Sequence, residues 1–176
     1  MERTAVFIDY QNVHMGAHDL FTPRREPVHQ SLVHPLAVAV RIAEKRSRRF
    51  PSEITQVRVW ERDARVTVQQ RDLKYLGWPE HPPREKGIDV ALAIDLVHTA
   101  LRGEYDVAVV LTSDTDILPA VELAFNETEP HVEIAAWQGA KPLWFPTEIS
   151  DKRRLPFCHF LDAADFEAVR DTTKYI

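Results

Sequence analysis

At 176 residues, 44% of them apolar and only five of them Gly, the chain can bury one hydrophobic core and is too short for two ordinary domains, so a single domain over residues 1–176 is expected. The formal net charge of −5 argues against attraction of the whole molecule to nucleic acid. Residues 1–86 nevertheless carry 15 Lys/Arg against 11 Asp/Glu and residues 87–176 carry 7 against 16, so a basic half accompanies an acidic one.

TAVFIDY, residues 4–10, is short, apolar and rich in strand formers, as expected of a parallel strand buried on both faces. It ends in a polar tip, Asp9 with Asn12. A Pro- and His-containing stretch follows over residues 22–35; His14 and His18, four apart with no convincing helical frame between them, read as surface residues. Pro35 then opens a helix to about Phe50, stopped by Pro51; its KRSRR run (45–49) reads as a solvated face. ITQVRVWE (54–61) alternates apolar and polar residues, VTVQQRDLKYLG (66–77) ends at Gly77 like a short helix, and WPEHPPREKG (78–87) is a Pro-rich connector. IDVALAIDLVHTAL (88–101) is apolar on most sides and should be a largely buried helix. DVAVVLT (106–112) is a second doubly buried strand, DILPAVELAFN (116–126) a helix with Pro119 in its first turn, and HVEIAAW (131–137) a third strand. A loop with Lys152, Arg153 and Arg154 leads to a short strand in PFCHFLD (156–162) and a terminal helix around 163–170. Strands alternating with helices predict an α/β domain with a mainly parallel sheet.

One cysteine, Cys158, excludes an internal disulfide and a Cys-rich zinc site. Its neighbour His159 raises a Cys/His nucleophile, against which stands a buried strand thiol. No segment reaches the roughly 18 apolar residues of a membrane helix, and the amino end lacks a signal-peptide pattern. A cytoplasmic protein is expected.

Ligands of open parallel sheets bind beyond the carboxyl ends of the strands. Asp9 and Asp114 stand at two such ends, Asp89 in the first turn of the helix after Gly87, and Asp116 in the first turn of the next helix. Singly, each suits a helix cap or an Asx turn. Together they are four mutually repelling carboxylates, and a hard dication, Mg²⁺ or Mn²⁺, resolves the conflict with oxygen ligands. Such a site activates a water and stabilises charge developing on a phosphodiester. Asp95, six residues and about 120° beyond Asp89 on a helix, stays outside this set.

FIDYQN (7–12), EKGIDVALAIDLV (85–97) and VLTSDTDILPAVE (110–122) resemble, in order and spacing, the three signature blocks of the NYN domain family, in its LabA-like bacterial branch of the PIN-like nucleases. The tail around FCHFLDAADFEAVRD is similar to the strand and helix that close many bacterial members. The resemblance implies a Rossmann-like three-layer α/β/α sandwich around a mainly parallel sheet, and metal-dependent ribonuclease activity on RNA. It carries catalytic and metal roles to Asp9, Asp89, Asp114 and Asp116, with Asn12 as the companion amide, and it implies a homodimer. Thr112 and Thr115 stand where other residues, including Gly, often occur in the family. For RNA contacts the candidates are Arg24, Arg25, Arg84 and Lys86, with Tyr10 or Trp78 for base stacking.

Two other readings fit less of the pattern. A haloacid-dehalogenase-like phosphatase needs its Asp-x-Asp pair after the first strand, where position 11 is Gln, and a dinucleotide binder needs a Gly-rich turn that FIDYQNVHMG lacks. A non-catalytic nucleic-acid or protein-interaction module that keeps the pocket is the remaining alternative.

Overall fold

A computed structural model describes residues 2–49, 67, 87–143 and 155–171. The stretches 54–61, 66–77 and 78–87 and the basic residues 152–154 lie wholly or almost wholly outside the described residues. In chain order the elements are β1 (Thr4–Ile8), α1 (Tyr10–Phe21), α2 (Pro35–Arg49), α3 (Ile88–Leu101), β2 (Val107–Leu111), α4 (Leu118–Glu127), β3 (His131–Trp137), β4 (Cys158–Leu161) and α5 (Ala163–Val169). Short 3₁₀ turns at Val28–Gln30 and Thr115–Ile117 precede α2 and α4.

The four strands form one sheet in the order β1-β2-β3-β4, every neighbouring pair parallel. Alternation along β2 sorts its side chains between two cores. Val107, Val109 and Leu111 join Val13 and Ala17 of α1, Val38 and Ile42 of α2 and Phe166 of α5. Ala108 and Val110 join Leu96 and Ala100 of α3 and Val121, Ala124 and Phe125 of α4. The result is a three-layer α/β/α sandwich. All five β2 side chains are buried, each Val contributing about 1.5–3 kcal/mol relative to exposure.

Three expectations need correction. β1 is half-buried along its whole length and ends the described sheet, with β2 as its one strand partner among the described residues. α3 buries only a stripe: Leu96 and Ala100 face the core while Val90, Ile94 and Leu101 are exposed, since a helix lying on a sheet presents one face to it whatever its composition. The third concerns residues 10–21, which form α1, so His14 and His18 point inward from a helix. His14 Nε2 lies 3.0 Å from the Val28 carbonyl oxygen and His18 Nδ1 lies 2.7 Å from Ser31 Oγ. Burial lowers the His14 pKa below its ordinary value.

The path of α1 decides what the sheet edge can hold. Trp137 Nε1, at the end of β3, donates to the Val13 carbonyl at 2.8 Å, and Phe21 packs against Trp137 and Phe166 with ring centroids 5.6 and 5.5 Å apart. The helix therefore starts at β1 and crosses the carboxyl ends of the strands towards β3 and α5.

Behind the sheet edge a buried ionic network locks α2 to β3, β4 and α5. Glu133 accepts from Arg46 Nε at 3.2 Å and lies 2.6 Å from His159 Nε2, and Asp165 accepts from Arg41 at 2.6 Å and pairs with Lys45 at 2.6 Å. Lys45 and Arg46 of the KRSRR run are thus engaged in the interior rather than solvated. Cys158 and His159, being consecutive on β4, point to opposite faces. The thiol packs against the α3/α4 core and is pushed up to about 11 by burial, which removes the Cys/His nucleophile.

Candidate metal centre

β1 and β2 are in register with Ile8 opposite Leu111, so the residues that follow them emerge side by side. The Asp9 backbone N–H still donates to the Leu111 carbonyl at 3.2 Å. Its backbone then turns into α1, and Asp9 caps that helix by accepting the Asn12 N–H on Oδ1 at 3.2 Å. Asp114 plays the same part for the 3₁₀ turn, accepting the Asp116 N–H at 2.9 Å. Asp89 arrives from the first turn of α3, which the chain enters through Gly87 at φ 81°.

One carboxylate oxygen from each of Asp9, Asp89 and Asp114 lies within 4.8 Å of the others. Capping and clustering are therefore not alternatives here, because a carboxylate has about four acceptor positions and a cap uses one. Burial is the main cause that raises the Asp9 pKa above its ordinary 3.8, and the charges of Asp89 and Asp114 add to it, against the hydrogen bonds from Asn12 and Thr112. Three half-buried acids at this distance fit a hard divalent cation, whose oxygen ligands they would supply.

The other sequence candidates are distributed differently. Asp116 is exposed and stands outside the trio, contributing its backbone N–H to Asp114; Asp95 is also outside it. Asn12 accepts both the Ser113 N–H at 3.0 Å and the Ser113 hydroxyl at 2.9 Å on Oδ1. Tyr10 is no stacking platform: it packs against the core and its hydroxyl donates to the Val33 carbonyl at 3.1 Å. Arg24 and Arg25 are exposed beyond the far end of α1, a helix of 12 residues and so about 18 Å long. Arg84, Lys86 and Trp78 lie outside the described residues.

Thr112 and Ser113, which are not among the sequence candidates, tie the site together. Thr112 Oγ1 donates to Asp9 Oδ2 at 3.1 Å and accepts the Asp114 N–H at 3.0 Å. Two hydroxyl residues between a buried strand and an acid were the available signal.

The family model of the NYN domain matches residues 3–143, a span that holds all three clustered acids. The chain belongs to the NYN domain family. NYN domains are PIN-like and generally nucleases, and the parallel sheet flanked by helices is consistent with that fold. In this NYN domain β4 and α5 lie beyond the matched residues. No curated protein and no solved structure matches the chain. Among the described residues no helix is long and apolar enough to cross a membrane.

Proposed function

We propose that this NYN domain is a metal-dependent ribonuclease that hydrolyses RNA phosphodiester bonds at the carboxyl edge of its sheet. The observation that carries the reading is the meeting of Asp9, Asp89 and Asp114 within 4.8 Å, inside the span matched by a family of nucleases. Mg²⁺ or Mn²⁺ is the cofactor that suits an all-carboxylate donor set.

Bound there, the ion supplies water activation and charge neutralisation at a scissile phosphate. The protein's part is to hold three anionic oxygens in place before substrate arrives. Thr112 fixes the Asp9 carboxylate, the Asp116 N–H fixes that of Asp114, and the α3 dipole favours Asp89 in its first turn. Asn12, held by Ser113 through Oδ1, keeps its amide N–H groups for a phosphate oxygen.

The test is cleavage of labelled single-stranded and structured RNAs in Mn²⁺, Mg²⁺ or EDTA, with the wild type beside Asp114→Asn. Cutting that needs metal and is lost in the variant is the expected result. No cutting by either protein, with RNA retained, replaces the nuclease by the non-catalytic binding module.

A further inference from the structure

α3 is apolar on two sides. Leu96 and Ala100 are buried in the core beside α4, yet of the nine large apolar side chains exposed among the described residues Val90, Ile94 and Leu101 also belong to α3, and Leu123 belongs to α4. Val90 and Ile94 are four positions apart and Ile94 and Leu101 seven, so all three stand on one face of the helix over about 16 Å of its length. Val90 is 61%, Ile94 59% and Leu101 67% exposed. Packing on the sheet requires one apolar stripe, and the fold gives the second no use.

We infer that the outer stripe of α3 is the contact between two copies of this chain, with α3 packed antiparallel on its partner's α3 across a two-fold axis near the middle of the helix. The inference does not depend on the ribonuclease reading. A two-fold contact uses one patch twice, so Val90, Ile94 and Leu101 supply six apolar side chains. Ala91, Ala93 and the half-buried Val97 border them and let the two backbones approach.

The direction of packing follows from the polar residues of the same helix. His98 is exposed and Asp95 half-buried, three positions apart on one flank of the stripe. Neither side chain has a hydrogen-bond or ion-pair partner among the described residues. In an antiparallel pair like flanks meet with the sequence reversed, so each Asp95 comes within a turn of His98 of the other copy. A carboxylate acceptor then meets an imidazole donor, twice. A parallel pair sets this flank against the one that carries Ala93 and leaves both groups without partners. Antiparallel packing also places the negative end of each helix beside the positive end of the other. Asp89, about 100° round the helix from Val90 and joined to Asp9 and Asp114, stays outside the contact.

The experiment is sedimentation velocity of the full chain over about 1–200 µM, a range that brackets the micromolar affinity expected of so small an interface. The wild type should pass from one chain to two as concentration rises. Ile94→Asp, which buries a charge twice in the contact, should weaken association by at least about thirtyfold, with unchanged circular dichroism because Ile94 is exposed in the single chain. Phe160→Asp, on the exposed face of β4, is the control and should associate like the wild type. Asp95→Lys and His98→Glu should each weaken association about threefold to tenfold, the pair being present twice, and the double variant should regain the wild-type value. A wild type that stays monomeric leaves the stripe to another occupant and overturns the dimer. So does an Ile94→Asp variant that associates normally, or a Phe160→Asp variant that is equally impaired. Single charge variants without effect overturn the antiparallel pairing.

Discussion

Thr112 donates its hydroxyl hydrogen to Asp9 Oδ2 at 3.1 Å, linking the acid after β1 to the strand that carries Asp114. Thr112 Oγ1 itself accepts the Asp114 N–H at 3.0 Å, and Thr112 is buried. Replacing it by Val keeps the shape and removes both bonds, at a cost of about 1–3 kcal/mol for the polar groups left behind. Urea unfolding of Thr112→Val should show that loss, and Thr112→Ser should recover most of it. Equal midpoints for Val and wild type would mean that the link carries no stability.

The ionisation of Asp9 gives a second expectation. Its pKa is raised in the folded protein, through burial first and the neighbouring carboxylates next, so its stabilising contribution is complete below about 3.8 and lost as pH rises through the raised value. At neutral pH the metal-free protein therefore bears the cost of an ionised Asp9. Asn caps a helix as well as Asp does, so Asp9→Asn should leave the metal-free Tm unchanged or higher. Added Mn²⁺ should raise the Tm of the wild type and not of the variant; a variant that still gains Tm from Mn²⁺ would remove Asp9 from the ligand set.

Glu133 has the opposite sign. Burial pushes its pKa up, but the His159 hydrogen bond and the Arg46 charge outweigh it and hold the carboxyl below its ordinary 4.5. The stability it contributes is present above about 4.5 and lost as pH falls through the lower folded value. Glu133→Gln breaks a buried pair on one side and should cost about 3–5 kcal/mol at pH 7. Denaturant titrations should show that difference narrowing below pH 4.5; a constant difference down to acid pH would refute the assigned charge state.

Gly87 starts α3 at φ 81°, and a Cβ there would meet nothing within 4 Å. The cost of Gly87→Ala is therefore backbone strain, about 1–2 kcal/mol, relieved in part by turning the residue before Asp89. Both the unfolding midpoint and Mn²⁺ affinity should fall, the latter measurable by calorimetric titration. Unchanged affinity beside lowered stability would show that Asp89 is positioned by α3 packing alone.

β2 and β3 were legible because each is a short apolar run buried in the sheet: residues 131–137 and the helix 88–101 have the expected limits, and Asp9 and Asp114 fall at the predicted strand ends. α1 was hidden because His14 stands beside Val13 and Ala17 on its inward face; the N-cap Asp9 and the four-residue spacing from Val13 to Ala17 and then Phe21 were the readable traces. Composition likewise overstated the burial of α3, since hydrophobicity states what a helix tolerates and packing selects the stripe that is covered.

Sequence by itself determined the alternating elements, the parallel α/β class and the acids that end two strands, because these depend on local pattern and on the period of each element. Only the tertiary structure decided that Asp89 joins Asp9 and Asp114 while Asp116 stands apart, and that α1 crosses the sheet edge so that the Val13 carbonyl receives the Trp137 N–H. Those relations join residues as many as 124 positions apart, Val13 to Trp137, and they follow from strand order and from the packing of α1 on the core. Local pattern holds no record of either, since both arise when distant segments compete to bury the same surface.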